Sequence, residues 1–247
     1  MLKTSYSAIG KLAKGGEKMR TLGLALALLV VGSGMCFADT VTVDLYGGWN
    51  FVACPLVPFD PDPYSVFSGI DIDFNLFRWD APSQGEVYFE PDGAFGNILL
   101  GEGYYLNNIS NAESFSYNGV PDGVPDGSGT MTDMWISLPG NQLDGTNAGG
   151  WHLFGQPFNH DTPTNGAAGT GDNIWFTDGT TLKTWGEAVE AGWVESSMQY
   201  WDPVGQGQLI LTYEGWGDDD TLRAGKSYWL RTYKDNLALI IPAYNPE

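Results

Sequence analysis

The sequence predicts an all-β fold of two homologous β-sandwich-like repeats, with one short helix inserted in the second. Three observations carry that expectation. Short runs of alternating apolar residues, such as Val41-Thr42-Val43-Asp44-Leu45, recur between Gly, Pro and Asn turn signals. Three blocks appear twice in the same order: Gly47-Gly48-Trp49 to Leu56 returns as Gly149-Gly150-Trp151 to Phe158. Trp79-Asp80 with Gln84-Gly85 returns as Trp201-Asp202 with Gln206-Gly207, and Gly101 with Tyr104-Tyr105-Leu106 returns as Gly225 with Tyr228-Trp229-Leu230. Ordered self-similarity of this kind marks a duplicated structural unit.

In copy one, strands are expected over 41–45, 49–56, 75–80, 86–90, 104–109 and 114–117, with one helical turn over 64–70. Pro55 and Pro58 end the second strand because proline cannot donate to a ladder. Asn118-Gly119 reads as a turn. Val-Pro-Asp-Gly occurs twice between Val120 and Gly127, so 119–130 is the expected linker. Copy two restarts at Met134 and is expected to place strands over 134–138, from Trp151, and over 197–201, 208–213, 227–233 and 236–241. It holds a longer stretch between Trp151 and Trp201 than copy one has between Trp49 and Trp79. There Leu182, Trp185 and Val189 share a helical face, Asp178-Gly179-Thr180-Thr181 offers capping oxygens, and Gly192 supplies a stop.

Residues 19–38 read as a secretory signal peptide. Lys18 and Arg20 precede an apolar run from Leu22 to Val31, and small residues sit at Cys36 and Ala38. As a membrane anchor the stretch from Leu22 to Phe37 falls short of the ~20 apolar residues a span needs. Lys14-Gly15-Gly16-Glu17-Lys18 can be encoded by a purine-rich ribosome-binding sequence, so translation is expected to start at Met19 in a prokaryote, with 1–18 a mis-assigned start. The domain organisation is then a leader at 19–38, a first repeat at 39–118, the linker, and a second repeat with its insertion at 131–247. The destination is the extracellular medium or cell surface, or the periplasm.

The chain has 30 acidic against 11 basic side chains and a formal net charge of −19. Five of the basic residues (Lys3, Lys11, Lys14, Lys18, Arg20) but only one acidic residue (Glu17) fall within the first 38 positions, so the remainder is more acidic still. Nucleic acid and anionic lipid are excluded as expected partners, because both need clustered Lys and Arg. Polysaccharide and other surface proteins remain. Ten Trp, twelve Tyr and twelve Phe supply ample area for a core. Beyond the leader Cys54 is the one cysteine, so no intramolecular disulfide is expected there.

No catalytic residues are expected. The two histidines, His152 and His160, come with no nucleophile-elbow pattern and no zinc-ligand spacing. Two carboxylates suffice for glycoside hydrolysis. The duplicated Asp80 and Asp202, however, read as turn-initiating residues. Calcium is the one cofactor the loops could serve, through Asp218, Asp219 and Asp220, Asp71 and Asp73, or the Asp122 and Asp126 turns. Asp71-x-Asp73-x-Asn75 starts like an EF-hand loop but lacks its Gly and bidentate Glu. The duplicated indoles Trp49/Trp151 and Trp79/Trp201 are expected in the core of each copy. Trp193, Trp216, Tyr64 and Tyr213 are then free to form a carbohydrate-binding aromatic platform.

The Gly-Trp-Asn-x-x-x-x-Pro-Leu opening (Gly48 to Leu56), the Trp-Asp block and the Gly-x-Gly-Tyr-Tyr-Leu close (Gly101 to Leu106) resemble a β-rich repeat of secreted bacterial surface proteins, typically "GWNLISLP…WD…GxGYW". The resemblance covers most of residues 46–106 and 149–230. It implies a non-enzymatic exported surface or matrix protein, with a carbohydrate-binding module as the alternative and a glycan hydrolase behind it. Two tests follow for the ends of the chain: intact mass should show a precursor starting at Met19, and N-terminal sequencing of the exported product should start at Asp39.

Overall fold

Alternation in the sequence becomes burial in the structure. The first strand reads exposed-buried in strict turn, with Val41, Val43 and Leu45 inward. The structure, a computed structural model, describes residues 39–91, 93–121, 132–142 and 149–243. The leader, its processing site, most of the linker, and Asp122 and Asp126 lie outside the described residues.

Copy one comprises β1 (Asp39–Leu45), β2 (Gly48–Ala53), β3 (Val57–Pro58), α1 (Pro63–Val66), β4 (Leu76–Asp80), β5 (Gly85–Tyr88), β6 (Gly103–Asn108) and β7 (Glu113–Val120). Copy two comprises β8 (Met134–Leu138), β9 (Gly150–Gly155), β10 (Thr162–Pro163), β11 (Trp175–Thr177), β12 (Leu182–Thr184), α2 (Trp185–Glu190), β13 (Val194–Asp202), β14 (Gly207–Thr212), β15 (Thr221–Leu222), β16 (Ser227–Thr232) and β17 (Leu237–Ile241). Each copy has an inner sheet of identical order, β2-β6-β4-β5 in one and β9-β16-β13-β14 in the other. Each also has an outer sheet in which its first and last strands pair, β1 with β7 and β8 with β17.

The equivalence extends to single residues. Asn50 lies opposite Leu106, and His152 opposite Leu230. Trp79 lies opposite Glu86, and Trp201 opposite Gln208. In both copies the tyrosine of the closing block is buried and accepts a hydrogen bond from a loop N–H five residues earlier. Tyr104 Oη accepts from Leu99 at 2.8 Å, and Tyr228 Oη from Arg223 at 2.6 Å.

Outer and inner sheets of each copy enclose a core. In copy one Val41, Val43, Leu45, Phe115 and Tyr117 meet Val52, Cys54, Leu76, Tyr104 and Leu106. In copy two Ile136, Leu138, Phe176, Leu239 and Ile241 meet Phe154, Met198, Leu211, Tyr228 and Leu230. Cys54 is buried and reduced, and burial pushes its thiol up to about 12.

Two local expectations need correction. The helix of the insertion runs over Trp185–Glu190, and its N-cap is Thr184, whose capping box closes with Glu187. Leu182–Thr184 is instead a strand, and with β11 it extends the outer sheet to β12-β11-β17-β8. Asp178 makes a local turn to Thr180 and Thr181 and pairs with Lys234 at 2.5 Å. Asn118-Gly119 is not a turn, because β7 continues through it to Val120. A Cβ at Gly119 would lie 2.5 Å from the Val57 carbonyl oxygen, so the glycine admits β3 at close range.

His152 takes the place of Asn50 and is buried, with Nε2 3.1 Å from Thr232 Oγ1. Burial pushes its pKa down to about 4, so the unfolded chain binds this proton more readily than the native one. Its stabilising contribution is therefore complete above pH 6.5 and is lost as pH falls toward 4, by up to about 3 kcal/mol. His152→Asn should flatten the stability slope between pH 6.5 and 4 in urea unfolding; a slope identical to the parent's would exonerate the imidazole.

Candidate aromatic cleft between the copies

The outer face of one inner sheet packs on that of the other, and small residues permit it. A Cβ at Gly103 would meet Leu153, the Phe154 carbonyl and Ser227 at 2.8 Å, and one at Gly155 would meet Ala53 at 2.5 Å. Two main-chain hydrogen bonds cross reciprocally at equivalent positions. Ala53 N–H donates to the Gly225 carbonyl at 3.0 Å, and Gly155 N–H to the Gly101 carbonyl at 2.9 Å.

The second repeated block supplies a reciprocal clamp. Gln84 Oε1 accepts from the Trp151 N–H at 2.8 Å, and Gln84 Nε2 donates to the Trp151 carbonyl at 3.1 Å. Gln206 does the same to Trp49, at 3.0 and 3.2 Å. Each glutamine has a left-handed backbone, φ 48° and 50°, at the end of a turn that its aspartate organises. Asp80 accepts from Ser83 N–H and Asp202 from Val204 N–H, as expected of turn-initiating residues. Each carboxamide lies where a Cβ of Gly150 or Gly48 would sit, 2.6 and 2.4 Å from the nearest glutamine atom. The repeated glycines, tryptophans and glutamines thus form one self-complementary junction.

This corrects the expected role of the repeated indoles. They do not fill the core of each copy; they sit on the outer faces, between the copies. Trp79 Nε1 donates to the Trp151 carbonyl at 2.8 Å, and its ring meets Trp229 edge-on at 4.9 Å. Trp201 stacks on Phe51 at 6.1 Å. Phe77, Tyr105 and Leu153 are buried here, with Phe51, Trp79 and Trp229 against them.

Beside this contact lies a cleft of about 550 Å³ lined by Trp49, Phe51, Phe77, Glu86, Tyr88, Tyr105, Trp201 and Trp229. Its wall is continuous. Phe77 stacks on Tyr105 at 5.0 Å and meets Tyr88 edge-on at 4.7 Å, while Trp49 tilts over Phe77 at 5.5 Å. Tyr88 Oη donates to Glu86 Oε2 at 3.0 Å. Burial, then the neighbouring Glu86 carboxylate, pushes the Tyr105 phenol pKa up. Tyr105 Oη nevertheless lies outside hydrogen-bond geometry, and Trp201 Nε1 is likewise buried without a partner.

The cleft breaks the symmetry of the junction. By strand register, Phe77, Glu86 and Tyr88 correspond to Gln199, Gln208 and Ile210 in copy two. Copy two therefore cannot build the same aromatic wall on its own sheet. Among the described residues a single carboxylate, Glu86, lines the cleft, whereas glycoside hydrolysis uses two.

The expected platform residues do not come together. Trp193 is buried, with Lys183 and Lys234 ammonium groups 5.4 and 4.2 Å from its ring. Tyr213 packs on Trp185 at 6.2 Å, and Tyr64 meets Phe89 edge-on at 5.0 Å while donating to Asp73. Trp216 is 85% exposed. The expected calcium ligands make the following contacts. Asp218 accepts from Ile210 N–H, Asp219 pairs with Arg223 at 2.8 Å, and Asp220 accepts from Thr221, while Asp71 is exposed. Among the described residues no group of three or more His, Cys, Asp or Glu is placed to hold a metal.

Removing the Gln84 clamp should cost about 1 kcal/mol, the scale of a lost hydrogen bond to a part-buried group. Gln84→Ala should therefore lower the urea midpoint, and Gln84→Glu should not restore it, because a carboxylate cannot donate to the Trp151 carbonyl. No protein-family model matches the chain, and no curated protein or solved structure shows significant similarity to it.

Proposed function

We propose that the chain is an exported, non-catalytic binding protein of the cell surface or extracellular space, and that its recognition site is the aromatic cleft between the copies. The observation that carries this reading is the asymmetry of an otherwise reciprocal junction. Phe77, Tyr88 and Glu86 are not needed to join the copies, since their equivalents Gln199, Ile210 and Gln208 are of different chemistry. A concave, mostly apolar site with few polar groups is the usual form of a small-ligand pocket. The signal-peptide pattern supports an exported destination, and the acidic composition suits a soluble protein at an exposed surface.

A second reading, carbohydrate binding, is favoured by a different surface. On the outer sheet of copy two, Trp135 and Trp175 both lie directly opposite Ile240 from neighbouring strands, one on each side. They therefore share a sheet face about two strand spacings apart, roughly 10 Å, and Trp135 is 61% exposed. Thr177, Thr180, Thr181 and Asp133 border the same surface and supply groups for sugar hydroxyls.

Thermal unfolding against a panel of small solutes and soluble glycans distinguishes the two. A cleft ligand at about 100 times its Kd should add about 2.7 kcal/mol, seen as a rise of several degrees in Tm that Trp201→Ala abolishes. A glycan on the outer sheet should instead lose its effect in Trp135→Ala. A panel that leaves Tm unmoved would sink both.

A further inference from the structure

We infer that the cleft selects a small soluble organic cation, a quaternary ammonium of the choline type. The inference rests on the cleft being the recognition site and adds the class of its occupant.

The lining decides the class. Among the described residues, seven of the eight side chains that line the cleft are aromatic and the eighth, Glu86, is the one carboxylate; no Lys, Arg, Asn or Gln is among them. The polar groups of these residues include the Glu86 carboxylate, the Tyr88 and Tyr105 hydroxyls and the Trp201 indole N–H. They suit the single hydroxyl of a choline but not the many of a sugar, whose surplus hydroxyls would be buried unpaired at a cost. An anion would meet Glu86 and a chain of net charge −19. A quaternary ammonium needs no hydrogen bonds. Its charge is spread over methyl groups that pack on ring faces, where the quadrupole attracts a cation within about 6 Å.

The surrounding charge agrees. The basic side chains of the described residues lie elsewhere: Arg78 pairs with Glu102 at 3.3 Å, Arg223 with Asp161 and Asp219, Lys234 with Asp178, Arg231 lies over Trp151 and Tyr233, Lys183 over Trp193, and Lys226 beside Asp44. None of them lines the cleft, so the Glu86 charge is not neutralised there and the acidic field of the chain favours entry of a cation. The same absence disfavours a zwitterion, whose carboxylate would find no cationic partner. A net-positive choline is therefore preferred over a betaine.

Tryptophan fluorescence and calorimetry with the full chain test this using choline chloride and 3,3-dimethylbutan-1-ol, its neutral isostere. Choline should bind at least about tenfold more tightly than the alcohol. It should weaken several-fold in Glu86→Gln and as salt is raised, and should outbind glycine betaine. Equal binding of choline and the alcohol would overturn the cation assignment while leaving the cleft a ligand site. Binding of neither, with another solute from the panel still losing its effect in Trp201→Ala, would overturn the assignment alone. Capture on phosphatidylcholine vesicles without binding of free choline would overturn the soluble-ligand assignment. The isostere comparison uses the unaltered protein, so it stands even where a variant fails to fold.

Discussion

Close approach of two main chains is the constraint on which the rest of the molecule depends. Ala53 and Gly103 in one copy face Gly155 and Ser227 in the other, and a Cβ at either glycine has no room. Because the backbones meet there, N–H groups at the ends of β2 and β9 reach carbonyls of the opposite copy. The outer faces of the two inner sheets are thereby covered, and aromatic residues on them become interior groups. Farther along the same faces, Trp49 and Tyr88 stay partly exposed, and the cleft opens among them.

The left-handed glutamines show how this junction is fixed in register. A non-glycine residue at positive φ is disfavoured by roughly 1 kcal/mol or more. Each glutamine offsets that with a carboxamide that engages its own turn and both the N–H and the C=O of one residue in the other copy. Sliding the sheets by one residue would lose both clamps at once, since successive residues of a strand turn their N–H and C=O to opposite edges.

Much of this was legible in the sequence. The longer strands of both copies and the turn role of Asp80 and Asp202 follow from alternation, turn chemistry and repetition, whereas the short strands of the insertion and the order of strands within each sheet do not. The position of the repeated indoles did not follow, because repetition marks which residues matter without saying which face they occupy. A usable signal was present: Phe51-Val52-Ala53 and Tyr104-Tyr105-Leu106 are apolar at successive positions, which marks a sheet covered on both sides. The cleft was hidden for another reason. Its walls come from β2, β4, β5 and β6 of one copy and β13 and β16 of the other, and only the folded junction brings them together. The insertion misled in the opposite direction, since its helical spacing from Leu182 masked a strand that completes the outer sheet.

The glutamine clamps grip main-chain groups; the Trp79 indole shares the Trp151 carbonyl with one of them, whereas the clamp bonds use no ring of the cleft lining. A backbone-to-carboxamide latch works equally well whatever ring projects beside it. The chemistry of the crevice can therefore change, tryptophan to tyrosine or a carboxylate to an amide, without removing the clamp bonds that join the halves. Copy two, with Gln199, Gln208 and Ile210 in place of Phe77, Glu86 and Tyr88, is an instance of that freedom inside a single chain.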